Sequence, residues 1–545
     1  MVGRGRLARW KWLVAIACVV LLAGACGDAE SPTSATPAII VSVPTSSAPT
    51  PAPTSTTMPT SQSPEVAESA GWPTEGWPVS TPEEQGIDSG VLVDLVDRVV
   101  AVHGIDSLTV IRNGYLVLDT VVYPFPADTG HIIHSCTKSI TATLIGIAIA
   151  QGLLDGVDVP VVELLADAAP VTVDDLKASM TVEDLLTMST GLECRDSYLY
   201  DWQGMVEMQA SDEWAAHVLA LPMSEEPGTR FEYCNGSSLL LSAILSEVTG
   251  KPAAEYATEV LFEPLGISDV WWPATPDGIT IGWGELVLRP PDMAKIGYLY
   301  LRNGEWDGAQ LVPQQWIEAA TSAHIAAETL SDGYGYQWWI DDAGYAMAQG
   351  FGGQYIIVVP DQDLVVVFTS GLFGERQGQP EQFTTEYVLS AVSSNAPLPP
   401  NSDAQARLAA AVAAARTGPE PANIEMPEMA AAVDGIRYEF RTNELGAGWF
   451  MIRFGGDSAV LMTEDVDGPT ELEVGLAGRF VTDEAVPVTA RGTWRGVDTF
   501  VIEYQVIGQV ERGTLEFTFE NDVAHVKSVE RATGVVETSV ADRVG

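Results

Sequence analysis

Apolar residues at Val91, Leu92, Leu95, Val96 and Val99 follow the 3.6-residue period of one helix face and predict a helix from about Ser89 to Val100. The next run, "SLTVIRNGYLVLDTVVY", is β-rich on both sides of Asn113-Gly114, a strong two-residue hairpin signal. Ser139 to Leu154 is too rich in Ile, Leu and Ala for a surface helix and is expected to be buried. Thr181 with Asp184 three residues on is a capping-box pattern that runs to a stop at Gly191, and a further helix is expected from a Ser237 cap to Gly250 and Pro252. Strand-like runs return at "YGYQWWI", "YIIVVP" and "LVVVFTS", the last two forming a hairpin around Asp361-Gln-Asp363. Strands, then helices, then strands over 76–396 imply α+β: an antiparallel sheet flanked by helices, with a mostly helical insertion. An Ala-rich helix over about Asn401 to Arg416 is expected as a linker, 401–420. From 426 to 545 large apolar and polar residues alternate in short runs such as Leu515-Glu-Phe-Thr-Phe519, the pattern of an all-β barrel or sandwich.

At 545 residues the chain is long enough for more than one core, because single cores stop growing at roughly 250 to 300 residues. The N-terminus has a basic stretch (Arg4, Arg6, Arg9, Lys11) and then an apolar run from Leu13 to Leu22, too short for a comfortable mature membrane span. This reads as an export signal over 1–26. "LLAGAC" leads into Cys26 and resembles the lipobox of bacterial lipoproteins, which makes Cys26 the expected lipidated residue; an ordinary secretory signal is the alternative. Residues 27–70 are mostly Pro, Ser, Thr, Ala and Val, a composition that cannot repay the cost of ordering. As a flexible coil this tether has a reach on the order of 35 to 40 Å. The expected location is therefore the outer face of a bacterial cell membrane, held by a lipid anchor, or otherwise the secreted fraction.

A net charge of -47 argues against nucleic-acid binding, which needs clustered Lys and Arg. Outside the signal and the lipobox, Cys136, Cys194 and Cys234 remain for an oxidising compartment. Cys194 with Cys234 is the favoured pair, and closing that loop contributes roughly 3 to 4 kcal/mol.

Candidate chemistry centres on "HSCTKS". Ser135 and Lys138 are three residues apart, so a helix starting there puts both on one face. A serine hydroxyl needs a base, and a lysine can serve only when neutral, a state that burial favours. With six lysines in the chain the match alone is weak, and its context matters more. "FEYCNGSS" brings Tyr233, which can relay protons, and Asn235, whose amide can hold the lysine or the substrate acyl group. "AQGFGGQYIIVVP" enters a strand through glycines whose backbone can approach a ligand and present an N–H to an oxyanion.

These three motifs, in this order, resemble the serine β-lactamase and penicillin-binding-protein superfamily, in particular its class C β-lactamase-related branch with family VIII esterases, D-aminopeptidases and 6-aminohexanoate-dimer hydrolases. The resemblance covers about Gly76 to Ala396, and "RPPDMAKIGYLYLRNGEW" adds to it. It implies a β-lactamase/transpeptidase-like fold, Ser135 as acylated nucleophile, Lys138 as base and Tyr233 as proton relay. Asn235 would position substrate, and the N–H groups of Ser135 and Gln354 would form an oxyanion hole. Where the family has Lys-Thr-Gly or Lys-Ser-Gly, this chain has Phe351-Gly352-Gly353. Losing that cation costs about 1.5 to 3 kcal/mol of binding to a substrate carboxylate. The expected substrate is thus a small-molecule or short-peptide ester or amide, with β-lactam hydrolysis weak at most and no cofactor or metal. Trp283, Trp338 and Trp339 are candidate walls of an apolar pocket.

Competing chemistries lack parts: the sequence has no G-x-S-x-G elbow and no H-E-x-x-H, and His131 with His134 lacks a third ligand nearby. Cys136 as nucleophile would need His134 aimed at it. A non-catalytic cell-wall or peptide-binding lipoprotein that keeps the fold stands as the alternative, with Phe351 as its supporting feature.

Overall fold

The computed structural model describes residues 71–170, 173–196, 202–327, 331–421, 426–441, 447–465, 468–483, 487–531 and 534–544. The signal, Cys26 and the tether lie outside the described residues. Among the described residues no helix is long and apolar enough to cross a membrane.

The first domain is built on a seven-stranded antiparallel sheet. Its spatial order is Tyr115–Val121, Ile105–Arg112, Leu364–Ser370, Gln354–Val359, Tyr345–Gly350, Trp339–Asp341 and Gly333–Tyr334. The chain's first hairpin therefore pairs with its last strand, Leu108 opposite Phe368 and Val110 opposite Val366. Asn113 and Gly114 make the expected turn, with φ of 52° and 80°. Ile105–Arg112, Gln354–Val359 and Leu364–Ser370 are buried along their whole length, which accounts for their unbroken apolar runs: helices cover both faces.

Between the two groups of strands lie the helices. Ser89–Ala101 carries the predicted apolar face, and Thr181 with Asp184 forms a complete capping box. The buried helix is Cys136–Ala150, starting three residues earlier than expected and packed on Asn235–Thr249. That second helix begins at Asn235 rather than at a Ser237 cap: Cys234 is the preceding residue, Ser237 is buried inside the helix, and Gly250 ends it at φ 68°. Ser402–Arg416, the Ala-rich helix expected here, packs on Ser89–Ala101 and the Tyr115–Val121 strand, with Gln405 Nε2 donating to Glu83 Oε2 at 2.6 Å.

The C-terminal domain resolves the choice between barrel and sandwich. Nine strands, from Arg437–Phe440 to Val536–Val544, close into a barrel through pairing of Gly475 with Arg491. Tyr438, Phe450, Phe500, Phe517 and Phe519 fill its interior, the inward half of the alternation seen in the sequence.

Candidate active site

The short strand His131–Ile132 pairs with Val287–Leu288, and Ile133 N–H donates to Leu286 O at 2.9 Å. The backbone then turns through His134, which has φ 46°, so that Ser135 caps the Cys136–Ala150 helix. A tight turn fixes the start: Cys136 N–H donates to Ile133 O, Thr137 N–H to His134 O and Lys138 N–H to Ser135 O, each at 3.0 to 3.1 Å. The serine thus stands at the helix end where dipoles favour negative charge, and the lysine lies one turn inside.

Lys138 is 1 % exposed, and its Nζ makes three contacts: Ser135 Oγ at 3.0 Å, Asn235 Oδ1 at 2.7 Å and Trp283 O at 2.8 Å. Asn235 therefore holds the lysine, one of the two roles open to an amide at that position. Tyr233 Oη donates to Ser135 Oγ at 2.7 Å, and its ring lies 4.9 Å from the ammonium and stacks on Trp339. Burial pulls the Lys138 ammonium down to about 7, against the opposing pull of Asp196 and Cys136. At neutral pH a substantial fraction is then the free amine, which has a lone pair for the Ser135 proton.

Asp196 was invisible to sequence reasoning. Its Oδ2 accepts from Asn235 N–H at 2.7 Å, and it is the carboxylate whose charge acts on Lys138. Burial pushes its own carboxyl up to about 6, while the backbone N–H groups of Asn235 and Met205 and the Lys138 charge hold it back. The signal that could have found it is the cysteine pair. Cys194 is bonded to Cys234, so the loop carrying Asp196 is fastened beside Tyr233 and Asn235.

The third motif forms a rigid turn. Gly352 and Gly353 have φ of 81° and 87°, a left-handed pair that side chains rarely adopt. Ser370 Oγ donates to both of their carbonyls, at 2.6 and 2.7 Å, and Gln377 Oε1 accepts from Gly352 N–H at 2.8 Å. The Gln354 side chain points inward, its Nε2 donating to Ser370 O at 2.5 Å and to Phe351 O at 3.1 Å. Its carbonyl accepts from Cys136 Sγ at 3.4 Å, which brings the Gln354 backbone up to the residue after Ser135.

Cys136 is fully buried, and burial holds its thiol far above the ordinary range. His134 is pulled down to about 3 by burial, then by the charges of His131 and Lys138, and its ring meets Phe351 edge to face. Neither group is set up for thiolate chemistry. Of the tryptophans, Trp283 supplies a carbonyl to the lysine and Trp339 stacks on Tyr233. Trp338 is 0 % exposed and packs against Tyr300 in the core. Among the described residues no group of three His, Cys, Asp or Glu is placed to hold a metal.

The arrangement is a hydroxyl bonded to an amine and a phenol, at a helix start beside a strand end. The β-lactamase family profile matches residues 92–388, more than half of the chain. A 6-aminohexanoate-dimer hydrolase of Paenarthrobacter ureafaciens is 22 % identical over 284 residues, covering 48 % of this chain and 71 % of that protein. Among solved structures, the octameric penicillin-binding protein homologue of Pyrococcus abyssi is similar at a TM-score of 0.43 and 18 % identity, covering 83 % of this chain and all of that one. A family VIII carboxylesterase is similar at 0.44 and 16 %, covering 57 % of this chain and 98 % of that one.

Proposed function

Since the chain belongs to the β-lactamase family, a family of hydrolases, we propose that it cleaves a neutral ester or amide through an acyl-enzyme on Ser135. The observation that carries this reading is the bonding of Ser135 Oγ to both Lys138 Nζ and Tyr233 Oη. Neutral Lys138 takes the hydroxyl proton as Oγ attacks the carbonyl carbon, and the negative charge moves to the carbonyl oxygen. The Ser135 and Gln354 N–H groups receive that oxyanion, where one donor is worth about 2.7 to 4 kcal/mol. As the tetrahedral intermediate collapses, Tyr233 gives its proton to the departing alkoxide or amine and is recharged from the Lys138 ammonium. Water then attacks the acyl carbon, giving one proton to neutral Lys138, and as the intermediate collapses Ser135 Oγ leaves, taking that proton back from the Lys138 ammonium.

Phe351 supports a substrate without a carboxylate, because it stands where the resemblance places a lysine. The Cys194–Cys234 bond supports an extracytoplasmic location, in keeping with the export signal and lipidated Cys26 expected from the sequence.

The test compares p-nitrophenyl esters, D-amino-acid amides and a chromogenic cephalosporin. Ester or amide turnover should exceed cephalosporin turnover. Phe351→Lys should raise cephalosporin kcat/KM by about tenfold or more, as expected for restoring a charge-assisted contact. A wild type that prefers the cephalosporin contradicts the substrate claim.

A further inference from the structure

The barrel reaches the active site through one turn. Its strands Thr499–Val506 and Arg512–Glu520 are joined by residues 507–511, and this turn sits between the two backbone segments that flank Ser135. On one side Ile132 N–H donates to Gly508 O at 2.7 Å, and a Cβ on Gly508 would collide with Gly130 O. Ile132 is three residues before the serine. On the other side the Val510 methyl lies where a Cβ on Gly352 would be, and Val510 is only 2 % exposed.

The base of the turn is anchored in the first domain. Asp106, 2 % exposed, accepts from Arg512 Nη2 at 2.8 Å and from Gln505 Nε2 at 2.9 Å, and contacts His131 Nε2 at 3.3 Å. The Arg512 guanidinium packs flat on Gly371, next to Leu372, whose N–H donates to Gly352 O at 2.8 Å. One buried carboxylate therefore links the barrel, the strand leading to Ser135 and the segment supporting the Phe351–Gly353 turn. The neighbouring Glu511 carboxyl is pushed up to about 7 by burial, with Glu530 and Glu285 adding repulsion; Glu285 lies two residues from Trp283.

We propose that this barrel turn is a positioning element of the acylation site, in which Val510 packs on Gly352 and fixes the Gln354 N–H against Ser135. The role rests on the acyl-enzyme reading above. Val510 touches no reacting atom; it sets the position of a donor, and donor placement matters steeply because a shift of about 1 Å can cost on the order of a hundredfold in rate.

The full-length chain is titrated with a fluorophosphonate, and kcat and KM for a p-nitrophenyl ester are measured per titrated site in wild type, Val510→Ala and Val497→Ala. Val497 is a barrel residue 74 % exposed and serves as control. Val510→Ala should lower kcat per site about tenfold, leave KM within about twofold, and speed hydrogen exchange in the peptide holding 352–354. Val497→Ala should match wild type. If Val510→Ala does not fold, Gln505→Ala releases the base of the same turn and carries the same two readouts. Unchanged kcat per site, or a change in KM alone, overturns the positioning role while leaving the acyl-enzyme reading intact. A wild type that takes no label overturns that reading and the positioning role with it.

Discussion

Lys138 owes its usefulness to two opposing influences. Burial pulls its pKa to about 7, and Asp196, two hydrogen bonds away through Asn235, pulls it back up. In the proposed mechanism the free amine takes the Ser135 proton, so acylation should rise with pH through about 7. Asp196→Asn removes the charge that stabilises the ammonium, so the Lys138 pKa falls and the rising limb of kcat/KM should move to lower pH. A limb that stays in place would show that Asp196 only shapes the loop. The pairing of Ser135 with Lys138 was legible in the sequence from helical spacing read together with the two later motifs. Tyr233 and Asn235 were legible as a motif, but Asn235's grip on the lysine required the fold. Asp196 was legible only through the expected Cys194–Cys234 pair: a covalent link between positions 40 residues apart brings it in, and no local pattern marks it.

Among the elements, the loop from Glu193 to Asp196 and the start of the Asn235–Thr249 helix act as one unit because Cys194 is bonded to Cys234. Replacing both cysteines by serine should cost about 4 kcal/mol in urea unfolding, the loop-entropy value for this separation. It should also lower kcat, since Tyr233 and Asn235 flank Cys234. A variant with full stability and full turnover would show that the bond is incidental to both. Element types were readable because their periods differ: 3.6 along Ser89–Ala101 and 2 along Arg512–Glu520. Starts were less readable where no polar cap marks them. The Cys136–Ala150 helix begins after Ser135 with no side-chain cap bond, and the apolar run from Ser139 on does not by itself mark its first turn.

At the scale of the whole molecule, two separately cored domains meet on a buried ion pair. The barrel was legible from its alternation, but its contact with the active site was not, because Asp106 and Arg512 are 406 residues apart and each reads as an ordinary charged residue. Burial raises the Asp106 carboxyl, but Arg512 and His131 outweigh it and hold the pKa below the ordinary 3.8. The contribution of this carboxylate to stability is therefore present above pH 3.8 and is lost as pH falls through the lower folded value. Asp106→Asn leaves Arg512 buried without its anion and should cost about 3 to 5 kcal/mol at neutral pH. Urea unfolding at several pH values checks this: the gap between wild type and variant should narrow as the acid range is entered. A gap below 1 kcal/mol at neutral pH would mean that the pair behaves as a surface contact.

The central claim is that Ser135 attacks a carbonyl and carries the acyl group. Intact-mass measurement after exposure to an activated fluorophosphonate tests it most directly. The wild type should gain one adduct, mapped to the peptide containing Ser135, and Ser135→Ala should gain none. Equal labelling of the Ser135→Ala protein, or a folded wild type that takes no label, would contradict the account.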